Sequence, residues 1–128
     1  MELLDINGRS VSIRPVMKGF KKPSRSKLQL TTRNKVIEKF PHEVIYEDFV
    51  IPGSRLSVDF FIYRIGLVIE VDGKQHSAFS SFHHGDRTTS KKFAKQRTND
   101  MLKDKWSESN GFRMVRIESE EDLEQING

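Results

Sequence analysis

"LSVDFFIYRIGLVIEVD", residues 56–72, decides the fold. Two runs rich in Val, Ile and Phe flank a very short connection ahead of Gly66, which reads as a pair of antiparallel strands. A two-residue loop at Arg64 and Ile65 would pair Ile62 with Leu67 and Phe61 with Val68, and would set Asp59 opposite Glu70. Period-2 alternation then puts Asp59, Glu70 and Asp72 on one face. The other face takes Val58, Phe60, Ile62, Leu67, Ile69 and Val71. Like charges directly opposed on a sheet are destabilising, so the carboxylates need a reason to be there. Either one carboxyl is pushed upward in pKa, or a cation neutralises the set. With oxygen donors and no thiol, the cation that suits is a hard one such as Mg²⁺ or Mn²⁺. The alternative for any one carboxylate is a structural ion pair with a helix Lys or Arg.

Outward from this hairpin, the chain alternates element types. "LLDINGRSVSIR" turns at Asn7-Gly8, a short hairpin signal. A basic connector runs to Pro23. A helix follows, ending at Phe40-Pro41 because proline cannot continue it. "EVIYEDFVI" is a strand candidate that stops at Pro52-Gly53. After the central hairpin and the polar loop "SSFHHGDRTTS", a long charged helix is expected from about Ser90 to Ser107, closing near Asn110-Gly111. "FRMVRI" is the last strand, and Ser119 with Asp122 can form a capping box for a short end helix. Helix, three strands, helix, strand indicates an α/β fold with a mixed central sheet flanked by helices, an α-β-β-β-α-β core. The expected division is an N-terminal hairpin and basic arm over 1–23, and one compact domain over 24–128.

On the first helix, Leu30, Val36, Ile37 and Phe40 span one arc at 100° per residue, with Gln29 and Arg33 inside it and Glu38 outside. An inward Gln needs hydrogen-bond partners, and an inward Arg needs an anion unless it snorkels to solvent. On the second helix, Phe93, Gln96, Asp100 and Lys103 share a face, which would border the carboxylates, while Ala94, Met101 and Leu102 are expected to make core contacts.

Length and composition bound the rest. At 128 residues, with 35% hydrophobic and 31% charged side chains, the chain suits a single soluble domain with a lean core. It has no cysteine, which excludes disulfides and thiolate zinc sites. No apolar run approaches the roughly 18 residues of a membrane span, and "MELLDINGRS" lacks a signal-peptide pattern, so a cytoplasmic protein is expected. The formal net charge is +4. The excess is concentrated at residues 18–39, with a single Glu, and at 87–105, with Asp100 and Asp104. Such segments either solvate helix faces or neutralise the phosphates of a nucleic acid.

"SVDFF", "IEVDGKQH", "KQRTNDMLKDKW" and "NGFRMVRI", taken together, resemble the PD-(D/E)xK, or restriction-endonuclease-like, nuclease superfamily. Within it, the chain is most similar to the branch of very-short-patch repair endonucleases and EDxHD phage homing endonucleases, from about Ser24 to Ile117. The resemblance implies a Mg²⁺- or Mn²⁺-dependent endodeoxyribonuclease acting on double-stranded or branched DNA in a bacterial or phage-infected cell. Cleavage of both strands would suit a homodimer. It also implies roles for particular residues. Asp59 and Glu70 would hold the metal with the Val71 carbonyl, helped by Asp72. His76 would match the histidine after the turn, and Asp100 the helix aspartate that orients it or joins the metal. Arg33, Lys74, Lys91, Lys92, Lys95 and Arg97 would grip phosphates. Two positions depart from the pattern. Asp72 stands where an ExK lysine would fall, which leaves the general base open between His76 and a metal-bound water. Gln29 stands where relatives usually place a helix Glu, and an amide supplies no charge to a metal. A four-way-junction resolvase, and a catalytically silent nucleic-acid-binding module, are the alternatives. His83 and His84 are read as loop histidines near phosphate rather than zinc ligands, and His42 as structural.

Overall fold

The computed structural model describes residues 1–15, 26–72 and 87–127, apart from the side chains of 87–90 and 93. Strands β1 (Glu2–Leu4) and β2 (Ser10–Ser12) form the N-terminal hairpin. They are followed by α1 (Lys27–Lys39), β3 (Tyr46–Val50), β4 (Ser57–Ile62), β5 (Leu67–Val71), α2 (Arg87–Ser109) and β6 (Arg113–Ile117). The four later strands make one mixed sheet in the order β3-β4-β5-β6. The first two pairings are antiparallel, and β5–β6 is parallel. The expected α/β order is therefore the observed one.

Alternation along β4 and β5 sorts the core into two clusters. Phe60, Ile62, Leu67 and Ile69 pack with Val36 and Phe40 of α1 and with Val115 and Ile117 of β6. Phe61 and Val68 pack with Phe49, Trp106 of α2 and Leu3 of the hairpin. The sheet thus has α1 on one side and α2 with the hairpin on the other. The hairpin is tied down by polar contacts as well. The Trp106 indole N–H and the Asn110 amide both donate to the Leu4 carbonyl, at 2.8 and 3.2 Å.

The β4–β5 register is as expected, Phe61 with Val68 and Ile62 with Leu67. The connection is a 3₁₀ turn over Tyr63–Ile65, ended by Gly66 at φ 63°, a conformation in which a side chain is strained. One expectation about the faces fails. Val58 packs with Phe61 and Trp106, not with Phe60 and Ile62. The β3–β4 register gives the reason. It runs through Glu47–Phe60 and Phe49–Val58 but skips Asp48 and Asp59, and Asp48 has φ 54°. This local kink resets which side of the sheet each neighbour meets. Asp59 lies one residue past the last β4–β5 pair, Phe60–Ile69, and the same register continued would set it opposite Glu70.

Ser26 caps α1 by accepting the Gln29 N–H at 3.2 Å. The helix buries Gln29, Thr32 and Val36, while Ile37 is exposed, so the inward stripe is rotated from the expected arc. On α2 the expected core contacts are also wrong. Ala94 is exposed, Met101 is 69% exposed and Leu102 39%. The helix is anchored instead by Trp106 and Ser107. An apolar pair in an otherwise charged helix is weak evidence of burial when one large aromatic near the end fills the core. At the C-terminal turn, Asp122 Oδ2 accepts the Ser119 N–H at 3.2 Å, the carboxylate half of the expected capping box.

Candidate functional site

The end of the β4–β5 ladder, with α1 on one side and α2 on the other, brings the central carboxylates together. Asp59 Oδ2 accepts the Val71 backbone N–H at 2.7 Å, and Asp59 Oδ1 receives the Gln29 amide at 3.5 Å. Both donors are neutral. Glu70 is 5% exposed, and its Oε1 meets the Lys103 ammonium of α2 at 3.2 Å. Burial and the Asp59 charge push the Glu70 carboxyl up to about 8, against the pull of Lys103 and Arg116. The two carboxylates interact just beyond the last ladder pair, where the β4–β5 register continued sets them opposite one another.

Asp72 does not join them. It lies beside Arg116 of β6, at 3.4 Å, and the same guanidinium reaches Asp104 at 2.7 Å and Asp100 at 3.8 Å. Parallel pairing sets Arg116 directly beside Glu70, so its side chain meets the α2 aspartates on that side of the sheet. Burial lowers the Arg116 pKa, but its hydrogen bond to Asp104 and the charges of Asp72, Asp104 and Asp100 raise it overall. The expected trio on one face is therefore two groups: Asp59 with Glu70, and Asp72 with Asp100 around Arg116. Among the described residues, no three His, Asp or Glu side chains cluster closely enough to form a metal cage.

The inward Gln29 finds the partner it requires in Asp59. The inward Arg33 finds its anion in Glu47, whose carboxylate it meets at 2.7 Å in the interior, so its guanidinium is turned into the fold. Lys91, Lys92, Lys95 and Arg97 are exposed on α2. The α2 aspartates face Arg116 while these cations face outward. His42 is exposed, and Glu38 is exposed as expected. Lys74, His76, His83 and His84 lie outside the described residues. Sequence reasoning missed Arg116 altogether and gave Lys103 only a place on the α2 face. Their signal was a basic residue one position inside a parallel strand and one at i+3 from Asp100.

The remaining donors suit a hard cation. Asp59 and Glu70 offer oxygen only, and a buried carboxylate raised by its neighbour gains from added positive charge. Mg²⁺ is commonly held by one or two carboxylates, the rest being water and substrate phosphate, so a third carboxylate is not required.

No protein-family model matches the chain, and no solved structure matches it. A 67-residue stretch is 34% identical to "Uncharacterized protein 033L" of Invertebrate iridescent virus 3, covering 52% of this chain and 33% of the viral protein. The chain thus spans about a third of the length of that curated relative. No described helix is long and apolar enough to cross a membrane.

Proposed function

We propose that the chain is a metal-dependent DNA endonuclease of homing, nicking or repair type. The observation that carries this reading is Asp59, held by the Val71 N–H where the β4–β5 ladder ends, close enough to the buried Glu70 that burial and the Asp59 charge push that carboxyl up to about 8. Such perturbed pairs are more frequent at functional sites than elsewhere. The order of elements and the resemblance to PD-(D/E)xK nucleases support the same conclusion. A Mg²⁺ or Mn²⁺ ion held by Asp59, Glu70 and the Val71 carbonyl would supply a lowered pKa for water and polarisation of the phosphate. The chain's own residues do the positioning. The Val71 N–H and the Gln29 amide fix both oxygens of Asp59. Lys91, Lys92, Lys95 and Arg97 meet DNA phosphates along the outer side of α2. Lys74 would add to this grip, and His76 is the candidate to move the proton at the attacking water or the leaving oxygen.

The test is cleavage of supercoiled plasmid and of a synthetic four-way junction, with Mg²⁺, Mn²⁺ or EDTA, for the wild type and Gln29→Glu. Cutting with metal and none with EDTA supports the reading, and a preference for the junction makes the protein a resolvase. Cutting by Gln29→Glu alone would mean that the helix carboxylate is required and that this chain is a disabled form. If neither protein cuts any substrate, the reading fails.

A further inference from the structure

We infer that Lys103 is a resident counter-ion of Glu70 that a divalent cation must displace, so that α2 sets the metal affinity of the site. The inference rests on the nuclease reading and adds a control element to it. Lys103 Nζ lies 3.2 Å from Glu70 Oε1, with the two side chains 15% and 7% exposed. Once Glu70 is ionised, charges this sheltered are little screened by salt and attract more strongly than a surface pair. Asp59, by contrast, is held by an amide and a backbone N–H, which bring no net charge. Arg116 is engaged with Asp72, Asp100 and Asp104. Among the described residues, Lys103 is thus the cation in direct contact with the Asp59–Glu70 pair. A metal ion approaching Glu70 competes for the oxygen that the ammonium already occupies.

Local structure makes the exchange possible without unfolding. Lys103 precedes the buried Trp106 by one helical turn, so its backbone is held against the sheet. Its four-carbon stem is flexible, and the ammonium can swing to solvent by rotamer change alone. Once out, it remains tethered at the site, where it faces the phosphate of a bound DNA.

The test is calorimetric titration of Mg²⁺ without DNA into wild type, Lys103→Met, Lys103→Gln, Lys103→Arg and Glu70→Ala, in buffer more alkaline than the Glu70 value of about 8. Both neutral variants should bind Mg²⁺ about tenfold more tightly than the wild type. Lys103→Arg should stay near the wild type, and Glu70→Ala should lose binding. Wild-type binding that the neutral variants leave unchanged or weaken overturns the inference while the nuclease reading stands. Lack of Mg²⁺ binding by the wild type and by all variants overturns the inference, and the cleavage test with metal and EDTA then decides the nuclease reading.

Discussion

Glu70 is the residue on which stability and proposed function pull in opposite directions. In the fold it holds its proton to about pH 8, whereas the ordinary carboxyl releases it near 4.5. Between those values the folded state binds more protons than the unfolded state, so stability falls as pH rises through that window. In EDTA, the wild-type Tm should therefore drop from about pH 5 to pH 8, and Glu70→Gln should remove the drop and raise Tm by on the order of 5 °C at the alkaline end. Parallel pH profiles of Tm for the two proteins would contradict this account of Glu70. The carboxylates themselves were legible in the sequence, because a charge inside a Val- and Ile-rich strand breaks the pattern visibly. Their partners were not. Lys103 is 33 residues from Glu70, and Arg116 is 44 from Asp72, distances that only tertiary packing closes. The division of Asp59 from Asp72 was equally hidden, since strict alternation contains no sign of the kink at Asp48.

At the scale of elements, α2 shows what charge and periodicity leave unsaid. Its existence followed from length and its Asn110-Gly111 stop, but its anchor did not follow from the apolar residues nearest its middle. Trp106 packs against Phe49, Phe61 and Phe112, with ring centroids 5.5 to 6.2 Å away. Trp106→Ala should cost about 3–5 kcal/mol in urea unfolding, while Met101→Ala at an exposed site should cost under about 0.5 kcal/mol. Similar losses for both would mean that α2 packs by a different face. Arg116 is the electrostatic counterpart, joining β5 and β6 to α2 through three aspartates. Arg116→Met leaves those charges facing one another and should destabilise by roughly 1–3 kcal/mol. Amide exchange around Asp100 should accelerate with it, and unchanged exchange there would deny Arg116 its fastening role.

For the whole molecule, the order of elements and the mixed sheet could be derived from short runs of sequence, because each strand carries its own period and each break its own Gly or Pro. The docking of the N-terminal hairpin could not, since Leu3 in the second core cluster and the Trp106 and Asn110 donors to the Leu4 carbonyl are brought together only by tertiary packing. Charge is arranged at this scale too, with Asp100 and Asp104 turned to Arg116, Lys103 turned to Glu70, and Lys91, Lys92, Lys95 and Arg97 turned outward on α2. Exchanging Lys91 and Lys95 for Glu should weaken DNA binding and make log Kd less steep in log salt, by about one unit of slope for each phosphate no longer neutralised. An unchanged slope would place the DNA elsewhere. The central claim, that Asp59 and Glu70 form a metal-dependent cleavage centre, is tested most directly by single-turnover cleavage of a labelled DNA by wild type, Asp59→Ala and Glu70→Ala in Mg²⁺. The account predicts cutting by the wild type and a loss of about 10³-fold or more in each variant, with DNA binding retained. Cutting that survives both substitutions would contradict it.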